Sequence, residues 1–308
     1  MDRVFSNSQI ESTPFLRAPY TFFPVDRGRC SWYCGAMKIF EHNRAAWNAL
    51  SKGTCRWAHP VDPGTVERAR RGEWEVVLTP NRPVPQTWFG ELVGSRVLCL
   101  ASGGGQQAPV LAAAGAEVIS FDLSEAQLAK DRQVAESEGL TLRCIQGNMA
   151  DLSAFGEEEF DLVFNPVSTV FVPDVAPVWK ECFRVLRPGG TLLSGFMNPS
   201  FFLFDHDPTP DCEPLEVRYR LPYSESERST VSEARRAEID AGSPMEFSHS
   251  LETLIGGQLM AGFNLVGLYE DWWSDKETPL NRHSPTSIAT KAIRPFPWDL
   301  QRPSGRVE

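Results

Sequence analysis

The chain has 308 residues, 42% of them hydrophobic and 23% charged, a balance that excludes wholesale disorder. Its 30 basic and 40 acidic residues leave a formal charge of −10, which repels phosphate backbones and anionic lipid, so neither nucleic acid nor a membrane surface is expected as a partner. No run approaches the roughly 18 apolar residues of a membrane-spanning helix, and Glu11, Asp26, Pro14, Pro19 and Pro24 interrupt any apolar segment of a signal peptide.

Residues 1–36 read as an irregular N-terminal tail, broken by Thr13-Pro14, Ala18-Pro19, Phe23-Pro24 and Gly28. A start at Met37 would leave that tail outside the fold. From Met37 the spacing of Phe40, Asn43, Trp47 and Leu50 predicts a helix, the opening of an N-terminal segment, 37–95. Residues 96–308 have the texture of an α/β domain. RVLCLAS is a continuous apolar run bounded by glycines, as expected of a parallel strand covered on both faces. EVISF, LRCIQ, FDLVFN and GTLLSGF are four further strands. Ser124 and Gln127 make a capping-box pattern at the head of the helix EAQLAKDRQVAESEG, which Gly139 closes. Val175, Val178, Trp179, Cys182 and Leu186 form one apolar stripe, stopped by Pro188-Gly189-Gly190. Strands alternating with such helices imply right-handed βαβ units. Residues 199–247 break the alternation and read as a polar insertion with one strand-like piece, LEVRYRLPY. Ser250 then caps the helix LETLIGGQLMA, and FNLVGLYE and TSIATKAI close the sheet.

The most informative stretch is the glycine loop between the first strand and its helix, RVLCLASGGGQQAPVLAAAG. Glycines there let backbone approach a ligand closely, and the helix N-terminus adds partial positive charge. Asp122 ends the next strand, where its carboxylate can accept from both ribose hydroxyls of a nucleoside ligand. Gly103, Gly105 and Ala108 literally satisfy G-x-G-x-x-A, so an NAD(P)-dependent oxidoreductase is one reading. The segments downstream separate the two: GNMADL after the third strand, FDLVFNPVS at the fourth and FRVLRPGGTLL into the fifth.

In that order the motifs resemble those of class I S-adenosylmethionine-dependent methyltransferases of the small-molecule type, over about residues 38–198 and more loosely to residue 293. The resemblance implies a Rossmann-like, mostly parallel seven-stranded sheet with helices on both faces and an antiparallel last strand. It implies S-adenosylmethionine as cofactor. Cys99 stands where the family usually has an acid and Ala101 where it has its first glycine, while Gly103 and Gly105 fit. Main-chain groups of Ala101 and Ser102, or Gln106, would replace the acid. Asp122 matches the ribose-binding acid, and Leu123 the residue packing on adenine. Asn148 stands where an acid often faces the adenine amino group, with Met149 beside the ring. Asn165 marks the fourth strand end, a place for cofactor and substrate contacts. NRAAWNALS is similar to the lid helix preceding this domain in many members. Each assignment has a plainer rival: Asn148-Met149 as a strand-end turn, Trp47 as a core residue.

Methyl transfer from a sulfonium is an in-line displacement that needs neither metal nor covalent nucleophile, and holding the reactants collinear supplies much of the acceleration. No catalytic residue is identified. His206, His249 and His59 are candidate bases, with exposed or capping roles the plainer reading. Asn165-Pro166-Val167 is faintly similar to the Asn/Asp-Pro-Pro motif of amino-group methyltransferases but lacks the second proline. The seven cysteines read as reduced thiols of a cytoplasmic protein. Cys30 and Cys34 lack a second Cys/His pair at zinc spacing, so no metal is expected. The expected activity is methylation of a small-molecule acceptor. Beside the oxidoreductase, a non-catalytic S-adenosylmethionine-binding sensor or scaffold is the alternative. The insertion, with residues 47–74, is expected to cover the substrate end of the site.

Overall fold

The structure is a computed structural model that describes residues 29–53, 55–205, 215–226, 231–274 and 278–297. Its seven strands are β1 (Arg96–Leu100), β2 (Glu117–Asp122), β3 (Leu142–Gln146), β4 (Phe160–Asn165), β5 (Leu186–Met197), β6 (Asn264–Asp271) and β7 (Ser287–Ile293). They form one sheet in the order β3-β2-β1-β4-β5-β7-β6. The first five pair in parallel, and β7 runs antiparallel to both β5 and β6. All seven fall on the stretches expected from sequence. The order reverses between β1 and β4, which opens a crevice at the carboxyl ends of those strands.

Strand alternation sends Leu98 and Leu100 into one apolar layer and Val97 and Cys99 into the other. The sheet is therefore covered on both faces, which is why β1 reads as an unbroken apolar run. The helices α3 (Gln107–Ala113), α4 (Glu125–Glu138) and α5 (Ala176–Val185) connect the parallel strands. In α4 the Ser124 hydroxyl accepts from the Gln127 N–H, and Gly139 ends the helix at φ 64°. The N–H of Ser124 goes not to Gln127, as in a full capping box, but to Asp122 Oδ1 at 2.8 Å.

Four elements differ from expectation. Helix α1 spans Arg29–Leu50, so helical backbone begins eight positions before Met37, inside the expected tail; residues 1–28 lie outside the described residues. β5 starts at Leu186, because Pro188-Gly189-Gly190 forms a bulge within the strand rather than a turn before it, with the partner of Phe160 at Leu186 and that of Leu162 at Thr191. Residues 215–223 form no regular strand; only an isolated bridge joins Ser224 to Phe247. The insertion instead carries a helix, α6 (Glu233–Asp240). The helix after Ser250 opens with a π turn, Glu252–Gly256, before α7 (Gly257–Ala261). There the Trp179 indole, fully buried, lies against Gly257 and donates to the Thr253 carbonyl at 3.0 Å.

The N-terminal segment folds over the carboxyl edge of the sheet. A Cβ at Gly195 of β5 would lie 2.0 Å from the Leu78 carbonyl oxygen, and that oxygen accepts from the Val167 N–H at 3.0 Å. Glycine at 195 is what lets the chain cross there.

Candidate active site

A cavity of about 430 Å³ opens at the carboxyl ends of β1, β2 and β4. Its floor is the glycine loop. The Gly103 N–H donates to Asp122 Oδ2 at 3.0 Å, and Gly103 has no room for a side chain, since a Cβ would lie 2.8 Å from that of Gln127. Gly104 (φ 120°) and Gly105 (φ 76°) take conformations that side chains disfavour, pressed against the Trp57 carbonyl and Pro60. Ala101 lines the cavity with φ 50°, a left-handed backbone borne by a residue with a Cβ.

Asp122 closes the loop against α4. Burial pushes its carboxyl above the usual range, and the Ser124 and Gly103 amides pull it back. Each oxygen takes one of those N–H groups, the Leu123 amide adds a weaker pull, and a carboxylate offers about four acceptor positions, so acceptor capacity remains for a hydroxyl in the cavity.

Seven of the nine residues expected to bind the cofactor line the cavity: Ala101, Ser102, Gly103, Asp122, Leu123, Asn148 and Met149. Gly105 and Asn165 do not. The Gly105 N–H points away, to Asp131 Oδ1 at 2.7 Å. Asn165 is fully buried, and its amide donates to the Leu100 carbonyl at 3.0 Å and to Ser168 Oγ at 2.8 Å; it braces the wall from behind. Asn148 Oδ1 accepts from the Ala150 N–H at 3.0 Å, so it both shapes the turn and faces the cavity.

Asp131 of α4 escaped the sequence reading. It is fully buried, holds Gly105 with one oxygen and takes the Ser120 hydroxyl at 2.6 Å with the other. Burial pushes its carboxyl to about 7. A carboxylate from the following helix thus organises the loop, while Cys99, at the position of the missing acid, is a buried thiol pushed up by burial. A polar residue on the inward face of an otherwise ordinary amphipathic helix was the available signal.

The roof comes from α1 and residues 56–60. Phe40, Asn43, Trp47 and Trp57 line the cavity. The Asn43 amide donates to the carbonyls of Phe171 and Met245 at 3.1 and 3.0 Å and accepts from the Met245 N–H at 2.7 Å. The Trp47 ring meets Phe171 edge-on at 5.1 Å. Asn48 Oδ1 takes the Ser124 hydroxyl at 2.7 Å and the Ala126 N–H at 3.1 Å. Gln106 reaches up to the carbonyls of Arg56 and His59. Residues 77–80 add a wall that sequence reading did not anticipate, and the insertion contributes Phe201, Arg235, Glu238 and Glu246. The candidate base His249 lies outside the cavity lining, its Nε2 at 3.0 Å from the carbonyls of Thr169 and Val172. His59 is not among the lining residues either, and His206 lies outside the described residues.

Comparison with known proteins agrees with this geometry. The model of a methyltransferase domain matches residues 98–194. A Bacillus subtilis protein described as an uncharacterized methyltransferase is 46% identical over 233 residues, which is 76% of this chain and 91% of its own. The chain belongs to the class I S-adenosylmethionine-dependent methyltransferases. This methyltransferase shares its fold with two solved structures. An S-adenosylmethionine-dependent methyltransferase from Mesorhizobium loti has a TM-score of 0.53 at 20% identity, over 68% of this chain and 95% of that one. A putative one from Listeria monocytogenes has a TM-score of 0.52 at 17% identity, over 68% and 96%. A Pseudomonas fluorescens protein described as a ubiquinone biosynthesis O-methyltransferase is 32% identical over 127 residues, 40% of this chain and 55% of its own.

The cofactor of this methyltransferase is therefore S-adenosylmethionine, and the NAD(P) reading of Gly103, Gly105 and Ala108 is set aside. The residues present fit that group: a carboxylate with a spare acceptor position, a loop that admits close backbone approach, apolar Leu123 and Met149, and a buried Ser102 hydroxyl in the cavity lining. Among the described residues no cluster of His, Cys, Asp or Glu could hold a metal ion, and no helix is long and apolar enough to cross a membrane.

Proposed function

We propose that the enzyme transfers the methyl group to a small-molecule acceptor held in this cavity, by in-line displacement at the sulfonium. The supporting observation is that the Gly103–Asp122 pair and the aromatic roof enclose one and the same cavity. Its volume lies in the range of small-ligand sites. When bound, the cofactor supplies an already activated methyl group. The chain supplies position and dryness: Asp122 holds ribose hydroxyls, Leu123 and Met149 flank the base, Asn148 faces its edge, and the backbone of Ala101, Ser102 and Gly103 lies along the remainder. Phe40, Trp47, Trp57 and Phe171 keep water from the displacement. The O-methyltransferase relative supports a metabolite-sized acceptor.

Calorimetry with S-adenosylhomocysteine tests the cofactor residues. Wild type should bind in the micromolar range, and Asp122→Ala tenfold or more weakly, about 1.4 kcal/mol. Equal affinity in the two proteins would remove Asp122 from the site. Binding without turnover on any acceptor would favour the sensor reading.

A further inference from the structure

Above β4 the cavity wall carries a charge imbalance that the cofactor residues do not explain. Arg235 is the cation there, and four of its five N–H donors are committed. Its Nε and Nη2 bind Glu225 at 2.8 and 3.1 Å, its Nη1 binds Glu238 at 2.9 Å, and its Nη2 also reaches the Pro244 carbonyl at 2.8 Å. Glu225 is satisfied on both oxygens, since it also takes the Tyr223 hydroxyl at 3.0 Å and the Glu246 N–H at 2.7 Å. Glu246 is left over. Its carboxylate has no hydrogen-bond donor among the described residues; its contact with Arg235 is at 3.9 Å, beyond hydrogen-bond range. The side chain keeps 27% of its surface open and lines the same cavity as Asp122.

The chain fixes Glu246 firmly. Its neighbours Met245 and Phe247 are tied to Asn43 of α1 and to the Val170 carbonyl at 2.8 Å, so it hangs over the end of β4. β4 itself lies two strand spacings from β2, about 10 Å at 4.8 Å per strand. A ligand anchored at Asp122 and lying towards β4 would bring its far end beneath Glu246. Around this end the lining is apolar and aromatic, with Phe40, Val170, Phe171, Met197 and Phe201. The nearly buried Ser102 hydroxyl lines the same cavity.

We infer that the methyl acceptor is an amine with an apolar or aromatic body, which enters as an ammonium, is held by Glu246 with Glu238 beside it, and gives its proton to Glu246. The inference rests on the methyltransferase reading of this cavity. The step balances: the ammonium proton passes to the Glu246 carboxylate, and the freed nitrogen lone pair bonds the methyl carbon. The carbon–sulfur bond breaks with its electron pair left on sulfur. Burial and the facing carboxylates of Glu225 and Glu238, against the pull of Arg235, push Glu246 to about 7, a value matched to proton transfer near neutrality. The nearest element of the roof adds neutral Asn43, and His42 is engaged with the Ser243 carbonyl.

Three matched probes test this in the presence of saturating S-adenosylhomocysteine: 2-phenylethylamine, 2-phenylethanol and 3-phenylpropionate, each titrated to millimolar concentration by calorimetry. The amine should bind at least tenfold more tightly than the alcohol or the acid. Its affinity should weaken as pH falls below about 7. Glu246→Gln should abolish the preference and its pH dependence while S-adenosylhomocysteine affinity stays within twofold, and Glu238→Gln, at a more exposed position, should weaken amine binding less. Alcohol or acid binding as well as the amine, no amine binding to a protein that binds S-adenosylhomocysteine, or an unchanged preference in Glu246→Gln, overturns the inference. Failure of wild type to bind S-adenosylhomocysteine would be a different result, overturning the cofactor site itself.

Discussion

At the level of single residues, Asp131 carries the sharpest consequence. Its carboxyl titrates near 7 in the folded protein against about 3.9 in an unfolded chain. Below pH 4 both states hold the proton and folding is not penalised. As pH rises from 4 to 7 the unfolded chain releases its proton while the native state does not, so this group lowers stability across that window and no further above it. Asparagine at 131 can keep both bonds, accepting from Gly105 and donating to the Ser120 oxygen. Asp131→Asn should therefore melt at or above wild type at pH 8, with the difference vanishing near pH 4. A variant that melts several degrees below wild type at pH 8 would show that the ionised form holds the loop. The same site explains why the glycine loop was legible in the sequence while the part Asp131 plays in holding it was not. Gly103 and Asp122 follow from spacing along adjacent elements. The bonds from Asp131 to Gly105 and Ser120 cross from a helix to a loop and a strand, and no local pattern records them. Asn165 shows the converse: its position at a strand end suggested a ligand contact, while its three-dimensional partners are Leu100, Ser168 and Ser194.

Among the elements, α1 is the one whose attachment is most concentrated. Asn43 is fully buried and satisfies three main-chain groups from the Thr169–Phe171 turn and residue 245. Asn43→Ala leaves those groups unpaired, each costing about 1–3 kcal/mol when buried. Water entering beside the helix recovers part of that, so a net loss of about 2–3 kcal/mol is expected. A protein of this size loses roughly 2–4 °C per kcal/mol, giving a fall of about 4–12 °C in differential scanning calorimetry. An unchanged melting temperature would mean that α1 is held by its apolar face and its other polar contacts, such as Asn48 to Ser124 and Ala126, rather than by Asn43. The helix itself could be read from the spacing of Phe40, Asn43 and Trp47, but the role of Asn43 could not, because its partners Phe171 and Met245 lie 128 and 202 positions away. In the same way α6 was hidden, because Ser232 and a polar run with few apolar residues give a weak periodic signal. The central strands were plain, since the sheet is covered on both faces there and buried, mostly apolar residues run along them.

Across the whole molecule, the parallel sheet is continuous in sequence while its cover is not. Residues 40–80 come from before the first strand, 199–247 from after the fifth, and the two meet through Asn43 and Met245. The cover therefore responds as one body. S-adenosylhomocysteine should slow amide hydrogen exchange in α1 and around residues 245–248 together with the glycine loop, as measured by mass spectrometry. Protection confined to residues 101–105 and 122–124 would mean that the cover moves independently of the ligand. The expected division into a tail, an N-terminal segment and a domain with an insertion followed changes of texture along the chain. That the insertion and the segment around residues 47–74 share one cover was expected from where they leave the sheet, but texture does not name the bonds that join them, because Asn43 and Met245 lie 202 positions apart.

That separation has a temporal side. The Asn43 amide meets the Met245 carbonyl across 202 positions, so during synthesis α1 leaves the ribosome long before its partner exists. At 5–20 residues per second the wait is about 10–40 s. Through that interval the apolar side of α1, with Phe40 and Trp47, has no completed seat, while the floor strands β1 to β5 are themselves being made. The chamber can therefore shut only after residues 245–247 have been made, however early the rest of its lining is in place.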